Sequence, residues 1–169
     1  AIADLHALGV ASVMLTGDNV STAKAIAKEA GIDDARGNLL PEDKLAAIEE
    51  MQKQYGYVAM TGDGINDAPA LARSNIGFAM GGAGTDTAME AADVVIMNDD
   101  LRRIPEAIRL SRKTQAILWQ NIAMALGIKA VFLLLALFGG ATMWMAVFAD
   151  MGASLLVVFN GLRLLKTQK

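Results

Sequence analysis

Hydroxyl, amine and carboxylate groups cluster beside chain turns in the first seventy residues of this chain. Thr16-Gly17-Asp18-Asn19 follows an apolar run and precedes a helical pattern. A threonine hydroxyl and backbone amides at a helix amino terminus suit a phosphoryl oxygen, although the same residues also make an ordinary cap. Lys44 stands on the first turn of a helix opened by Pro41. An amine there can neutralise phosphate charge, although most helical lysines are merely solvated. The third stretch, Thr61-Gly62-Asp63-Gly64-Ile65-Asn66-Asp67-Ala68-Pro69, crowds two acids and an amide around a glycine turn. Asp63 and Asp67 are four residues apart across the turn, so their carboxylates can converge. Oxygens of this kind suit Mg²⁺, with water and a phosphate completing the shell; without a cation, packing like charges together is costly.

A second group lies in the last fifty residues, where Lys129 and Asp150 interrupt otherwise apolar sequence. Charges inside a membrane helix are costly and by default mark function. At 1.5 Å per residue, Lys129 lies about 15 Å and Asp150 about 11 Å from the turn between the two apolar runs. Antiparallel helices then bring them to similar depth, and a salt bridge is expected; the plainer reading is a pair that only fixes helix register. Asp150, Ser154, Val157 and Gly161 fall near one face, beside the small residues Gly152 and Ala153, which let other helices approach.

These groups need elements to hold them. Ser12–Leu15, Tyr57–Thr61, Ile76–Met80 and Val94–Met97 read as buried strands. Between them, helices are expected from about Ser21 to the stop at Gly31, from Pro41 through Met51, over Ala68–Arg73, and from the Gly81-Gly82-Ala83-Gly84 loop to about Ala92. Strands alternating with helices imply an α/β domain with a parallel sheet and helices on both faces. Ligands of such sheets collect at the carboxyl ends of the strands, where all three polar stretches fall. From about Leu101 one long basic helix runs into apolar Ile117–Phe138; Gly139-Gly140-Ala141-Thr142 interrupts, and Met143–Leu165 is apolar again. Each run has about the 20 residues that cross a bilayer. Basic residues before the first run, with Arg163, Lys166 and Lys169 after the second, put both ends in the cytoplasm by the positive-inside tendency.

Composition agrees with a soluble head and a membrane tail. Of the 169 residues 54% are hydrophobic, and the mean hydropathy of +0.37 is too high for a wholly soluble globule. The net charge of −3 argues against nucleic acid as a partner. With no cysteine, disulfides and thiolate metal sites are excluded within the chain. The single histidine, His6, reads as a solvated helix residue, and so does Asp4. No targeting leader is visible, and the chain is expected to be a fragment.

Thr-Gly-Asp, then Pro-x-Asp-Lys, then Gly-Asp-Gly-x-Asn-Asp-x-Pro, in this order and spacing, resembles the phosphorylation domain of P-type ATPases, within the haloacid dehalogenase superfamily. The resemblance implies a partial haloacid-dehalogenase-like, Rossmann-type phosphorylation domain over 1–110. Two transmembrane helices are then expected over 111–169, at about 117–138 and 143–165. It implies that Thr16, Gly17 and Asp18 serve the phosphoryl group and that Lys44 stabilises its charge. Asp63 is the implied Mg²⁺ ligand, with Asn66 and Asp67 completing the network around phosphate and metal. Gly84-Thr85-Asp86 resembles the family's next loop and reads as structural. The family's nucleophile is an aspartate in Asp-Lys-Thr-Gly-Thr, which does not occur here. The nucleophile, with the nucleotide-binding and actuator domains, is expected upstream, and this piece alone is expected to be inactive.

In the tail, Asn121, Lys129 and Asp150-Met151-Gly152 resemble the last two helices of the zinc/cadmium/lead subgroup of type IB P-type ATPases. The resemblance implies that Asp150 coordinates the transported Zn²⁺, Cd²⁺ or Pb²⁺ and that Lys129 is its partner or counter-ion. ATP is the implied substrate, with phosphorylation felt in the tail through the long helix, and the implied location is the cell membrane. A copper pump is the nearest rival, since Met151 and Ser154 echo a Met-x-x-Ser pattern, but Leu155 stands where that pattern wants a second serine. A membrane-anchored phosphatase of the same superfamily would want Asp-x-Asp-x-Thr, which is not seen, and a non-catalytic membrane module would not need Lys44, Asp63, Asn66 and Asp67 together.

Overall fold

The computed structural model describes residues 1–82, 84–140 and 142–167, without the side chains at 143, 146, 166 and 167. Ala83, Ala141, Lys169 and the side chains of Met143 and Lys166, all used in the sequence reading, lie outside the described residues. The chain divides into two compact units, Ala1–Glu106 and Ala107–Lys169.

The first unit alternates helix and strand: α1 (Ile2–Ala7), β1 (Val13–Leu15), α2 (Val20–Ala30), β2 (Asp34–Arg36), α3 (Pro41–Tyr55), β3 (Ala59–Gly62), α4 (Ala68–Arg73), β4 (Ile76–Met80), α5 (Asp86–Ala91) and β5 (Val94–Ile96). Local chemistry sets the boundaries. The Asn19 side chain accepts the Thr22 amide at 2.8 Å and starts α2; Gly31, at φ +74°, stops it in a left-handed conformation that glycine adopts without steric cost. Pro41 takes the first position of α3, where no amide is needed. The Asp43 carboxylate reaches back to the Leu40 amide at 2.9 Å.

All pairings are parallel. β1 pairs with β2, and β3-β4-β5 form a three-stranded sheet with Thr61 opposite Phe78 and Ala79 opposite Val95. The expected single sheet is thus two among the described residues, because a run of apolar residues marks a strand without naming its neighbour. Both pieces still share one core: Ile48, Met51, Met60, Leu71, Ala79 and Ala88 are buried together, and Val13 and Leu15 of β1 pack on them. β2 was not expected, because Asp34-Ala35-Arg36 carries none of the apolar pattern of a buried strand. β3 starts at Ala59, two residues after the expected Tyr57, which is 85% exposed.

One long helix, α6 (Arg103–Leu137), has 35 residues and is therefore about 50 Å long. α7 (Met143–Gly161) follows, and then a 3₁₀ stretch, Leu162–Thr167. The second apolar run is therefore not one α-helix to Leu165. A glycine holds the last α turn weakly, and tightening to i→i+3 bonds is common at helix ends. Two helical segments, Arg103–Leu137 and Val147–Leu165, are long and apolar enough to cross a bilayer. Within the second unit Ile117 and Ala153 are buried, whereas Leu118, Leu126, Leu133, Phe148 and Phe159 are exposed, as lipid-facing side chains would be.

Candidate functional site

Four loops meet at the carboxyl edge of the strands in the first unit. The loop after β1 holds Thr16, whose hydroxyl donates to the Asp18 carboxylate at 3.1 Å and accepts the Asp18 amide at 3.1 Å. The Thr16 carbonyl accepts the Leu39 amide at 3.1 Å, which ties this loop to the start of α3 and so to Lys44. The free helix-start amides expected here are in part already used: Thr22 by the Asn19 side chain, Asp18 by Thr16. Gly17 and Asp18 are exposed.

Lys44 reaches from α3 to the turn after β3, where its Nζ meets Asp67 Oδ1 at 2.7 Å. The two side chains are 15% and 13% exposed, so this ion pair, unlike the others in the unit, is largely withdrawn from water. Asp63 and Asn66 of the same turn are exposed. Gly62 is a steric requirement, because a Cβ there would stand 2.6 Å from the Asp67 Cβ. The loop after β4 completes the edge. The Thr85 amide donates to the Asp63 carbonyl at 2.9 Å, and a Cβ on Gly84 would clash with the Met80 carbonyl oxygen. Read structurally from the sequence, Gly84-Thr85 thus holds the backbone of Asp63.

The donor chemistry at this edge fits a hard cation. Asp63 and Asp67 supply carboxylate oxygens with neither thiolate nor imidazole beside them, and no group of three His, Cys, Asp or Glu side chains exists among the described residues. A cation held by these two carboxylates would take most of its ligands from water and phosphate, as Mg²⁺ does.

His6 is not simply solvated: its Nε2 lies 2.9 Å from Asp33 Oδ2, which also accepts the Ser12 amide at 2.7 Å and the Ser12 hydroxyl at 2.9 Å. The Ser12 amide chiefly, then its hydroxyl and His6, hold the Asp33 carboxyl below the usual carboxylate range.

In the second unit Lys129 Nζ and Asp150 Oδ1 stand 3.7 Å apart, each side chain 68% exposed. They line a pocket of about 300 Å³ with Ile128, Phe132, Ala149 and Ala153. The pair is the polar part of an otherwise apolar cleft. Ser154 donates to the Asp150 carbonyl at 2.9 Å, one turn back along α7. Sequence reasoning missed Asn160, whose Nδ2 donates to Asn121 Oδ1 at 2.9 Å. An amide directly after the apolar run Leu155-Leu156-Val157-Val158-Phe159 was the available signal.

Comparison with known proteins follows the same division. A haloacid dehalogenase-like hydrolase family profile matches residues 1–75, in line with the α/β alternation of the head. Over 97% of its length the chain is 54% identical to a probable cadmium-transporting ATPase of Listeria monocytogenes, covering 23% of that protein. It is 51% identical over 98% of its length to the zinc/cadmium/lead-transporting P-type ATPase of Escherichia coli K12, covering 22% of it. A crystal structure of a zinc-transporting PIB-type ATPase in the E2.Pi state superposes with a TM-score of 0.89 at 49% identity, over 97% of this chain and 27% of that one. The chain belongs to the heavy-metal, type IB P-type ATPases, and it spans about a quarter of the length of these relatives.

Proposed function

We propose that this chain is the phosphate-handling and ion-binding part of a pump. The pump exports Zn²⁺, Cd²⁺ or Pb²⁺ across the cell membrane at the expense of ATP, through an aspartyl-phosphate formed on an upstream segment. The observation that carries the reading is the coexistence of two polar sites of different chemistry in one chain. One is a lysine–carboxylate edge suited to phosphate, the other an acid–amine pair on an apolar helical hairpin. The names of the relatives support metal transport and ATP use.

In this reading residues 1–110 belong to the phosphorylation domain and 111–169 to the membrane hairpin, with both ends cytoplasmic. The Gly17 amide receives the phosphoryl oxygens, joined by the Thr16 hydroxyl and the Asp18 amide as these exchange their mutual hydrogen bonds for the ligand. Lys44, oriented by Asp67, places positive charge beside them. Asp63 and Asp67 would hold Mg²⁺, with Asn66 orienting the network, and the ion would neutralise phosphoryl charge there. In the membrane Asp150 is a ligand of the transported ion and Lys129 its counter-charge when the ion leaves. Zinc takes about four ligands, so the remaining donors come from other helices of the longer polypeptide. A hard carboxylate suits Zn²⁺ and its relatives better than Cu⁺, and the Ser154 hydroxyl is already bonded within its own helix.

Two substitutions in the full-length polypeptide separate the sites. Asp63→Ala is expected to abolish ATP turnover and Asp150→Ala to remove its stimulation by metal. Stimulation that survives Asp150→Ala would overturn the ligand assignment, and turnover that survives Asp63→Ala the phosphate assignment.

A further inference from the structure

The Lys129–Asp150 pair cannot set its own geometry. At 3.7 Å it is longer than a hydrogen bond, and both side chains are largely exposed. A lysine on a flexible four-carbon stem meets a carboxylate from many backbone positions. Something else must fix the depth and rotation of α7 against α6.

The loop after Leu137 closes one end of the hairpin. At the other end, Asn160 Nδ2 donates to Asn121 Oδ1 at 2.9 Å and lies 3.3 Å from Gln120 Oε1. Arg163 donates to Asn160 Oδ1 at 2.9 Å. The Asn160–Asn121 contact is partly buried and lies with Ile117, Ala125, Ala153 and Val157 along the less exposed faces of the two helices, whereas Lys129 and Asp150 are exposed. Asn121 precedes Lys129 by eight residues and Asn160 follows Asp150 by ten, so the amide contact is about 12 to 15 Å beyond the ion pair along the helices. The ion pair therefore lies between two ties, the loop and the amide bridge. A short amide has no reach to spare, and a single buried asparagine is known to specify the register of packed helices.

We propose that Asn160 is a positioning residue for Asp150: by its hydrogen bond to Asn121 it closes the hairpin opposite the loop, and so fixes the depth and rotation at which Asp150 meets Lys129 and the transported ion. The role toward the ion rests on the transport reading above; the closure of the hairpin does not.

The test uses the full-length polypeptide in lipid nanodiscs and the double variant Asn121→Leu/Asn160→Leu, which removes both amides of the partly buried contact together and leaves only the exposed Gln120 and Arg163 without Asn160. Spin labels carried on ketone-bearing amino acids at positions 126 and 155 report the separation of the two helices. The variant is expected to broaden that distance distribution. It is also expected to raise the Zn²⁺ concentration giving half-maximal ATPase activity ~10-fold, in the range seen when groups that orient a metal ligand are lost, with a smaller change in maximal rate. Loss of folded pump alone would lower the maximal rate and leave half-saturation in place. A distance distribution like that of the unsubstituted protein, or unchanged half-saturation, overturns the proposal. If the unsubstituted protein shows no metal-stimulated ATPase, the transport reading is what fails, and the label distances still decide the closure.

Discussion

Lys44 and Asp67 illustrate what a sequence pattern says about single residues and where it stops. The spacing of Pro41, Lys44, Asp63 and Asp67 marked them as phosphate or metal chemistry. That Lys44 is bonded to Asp67 rather than only standing near it depends on how α3 packs over the turn after β3, which no local pattern contains. A largely buried pair of this kind makes a definite prediction. Removing one partner leaves an uncompensated charge, so Asp67→Ala is expected to lower stability by about 3 kcal/mol, measured by urea unfolding. The double variant Lys44→Met/Asp67→Leu should recover much of that loss; equal or additive losses would show that the two do not act as a pair. Asp33 gives a pH prediction. Its pKa is depressed in the folded state by Ser12 and His6. The resulting stabilisation is present above the unfolded value of 3.8 and is lost as pH falls through the lower, folded value. Ser12→Ala keeps the backbone bond and loses the hydroxyl, and should raise the Asp33 pKa in a carbon-detected NMR titration. His6 escaped the sequence reading because its partner lies 27 residues away.

At the scale of elements the apolar pattern located most strands and helices. It failed where chemistry is shared between segments. β2 is a strand because its backbone pairs with β1, from Val13–Asp34 to Leu15–Arg36, not because Asp34-Ala35-Arg36 looks like one. The tightening after Gly161 was hidden by the continued apolar composition of Leu162, Leu164 and Leu165. The loop after β4 was legible as glycine-rich, but its purpose was not. Because a Cβ at Gly84 would clash with the Met80 carbonyl, Gly84→Ala must displace the loop that bonds the Asp63 carbonyl. Phosphoenzyme turnover is expected to drop about 10-fold or more, as for misplacement in other catalytic sites, with metal affinity preserved; unchanged turnover would mean that the loop does not hold Asp63. α6 makes a separate prediction. It runs unbroken from Arg103 to Leu137, and a rigid helix can transmit a shift. A Gly-Pro insertion between Ser111 and Ile117 should leave ATP hydrolysis without metal transport, read by assaying both in the same vesicles. Coupling retained at the original ratio would exclude the helix as the link.

For the whole molecule, the head carries the lysine–carboxylate edge and the hairpin the acid–amine pair. The chain holds no Asp-Lys-Thr-Gly-Thr segment, so the isolated 169 residues are expected to hydrolyse no ATP with Mg²⁺ present. Coupling of the phosphate site to Asp150 is read out by ATP-driven uptake of Zn²⁺ into inverted proteoliposomes of the full-length polypeptide. Uptake is expected to require ATP and to be abolished by Asp150→Ala. Uptake by that variant at the unsubstituted rate, or none by the unsubstituted protein, would contradict that coupling.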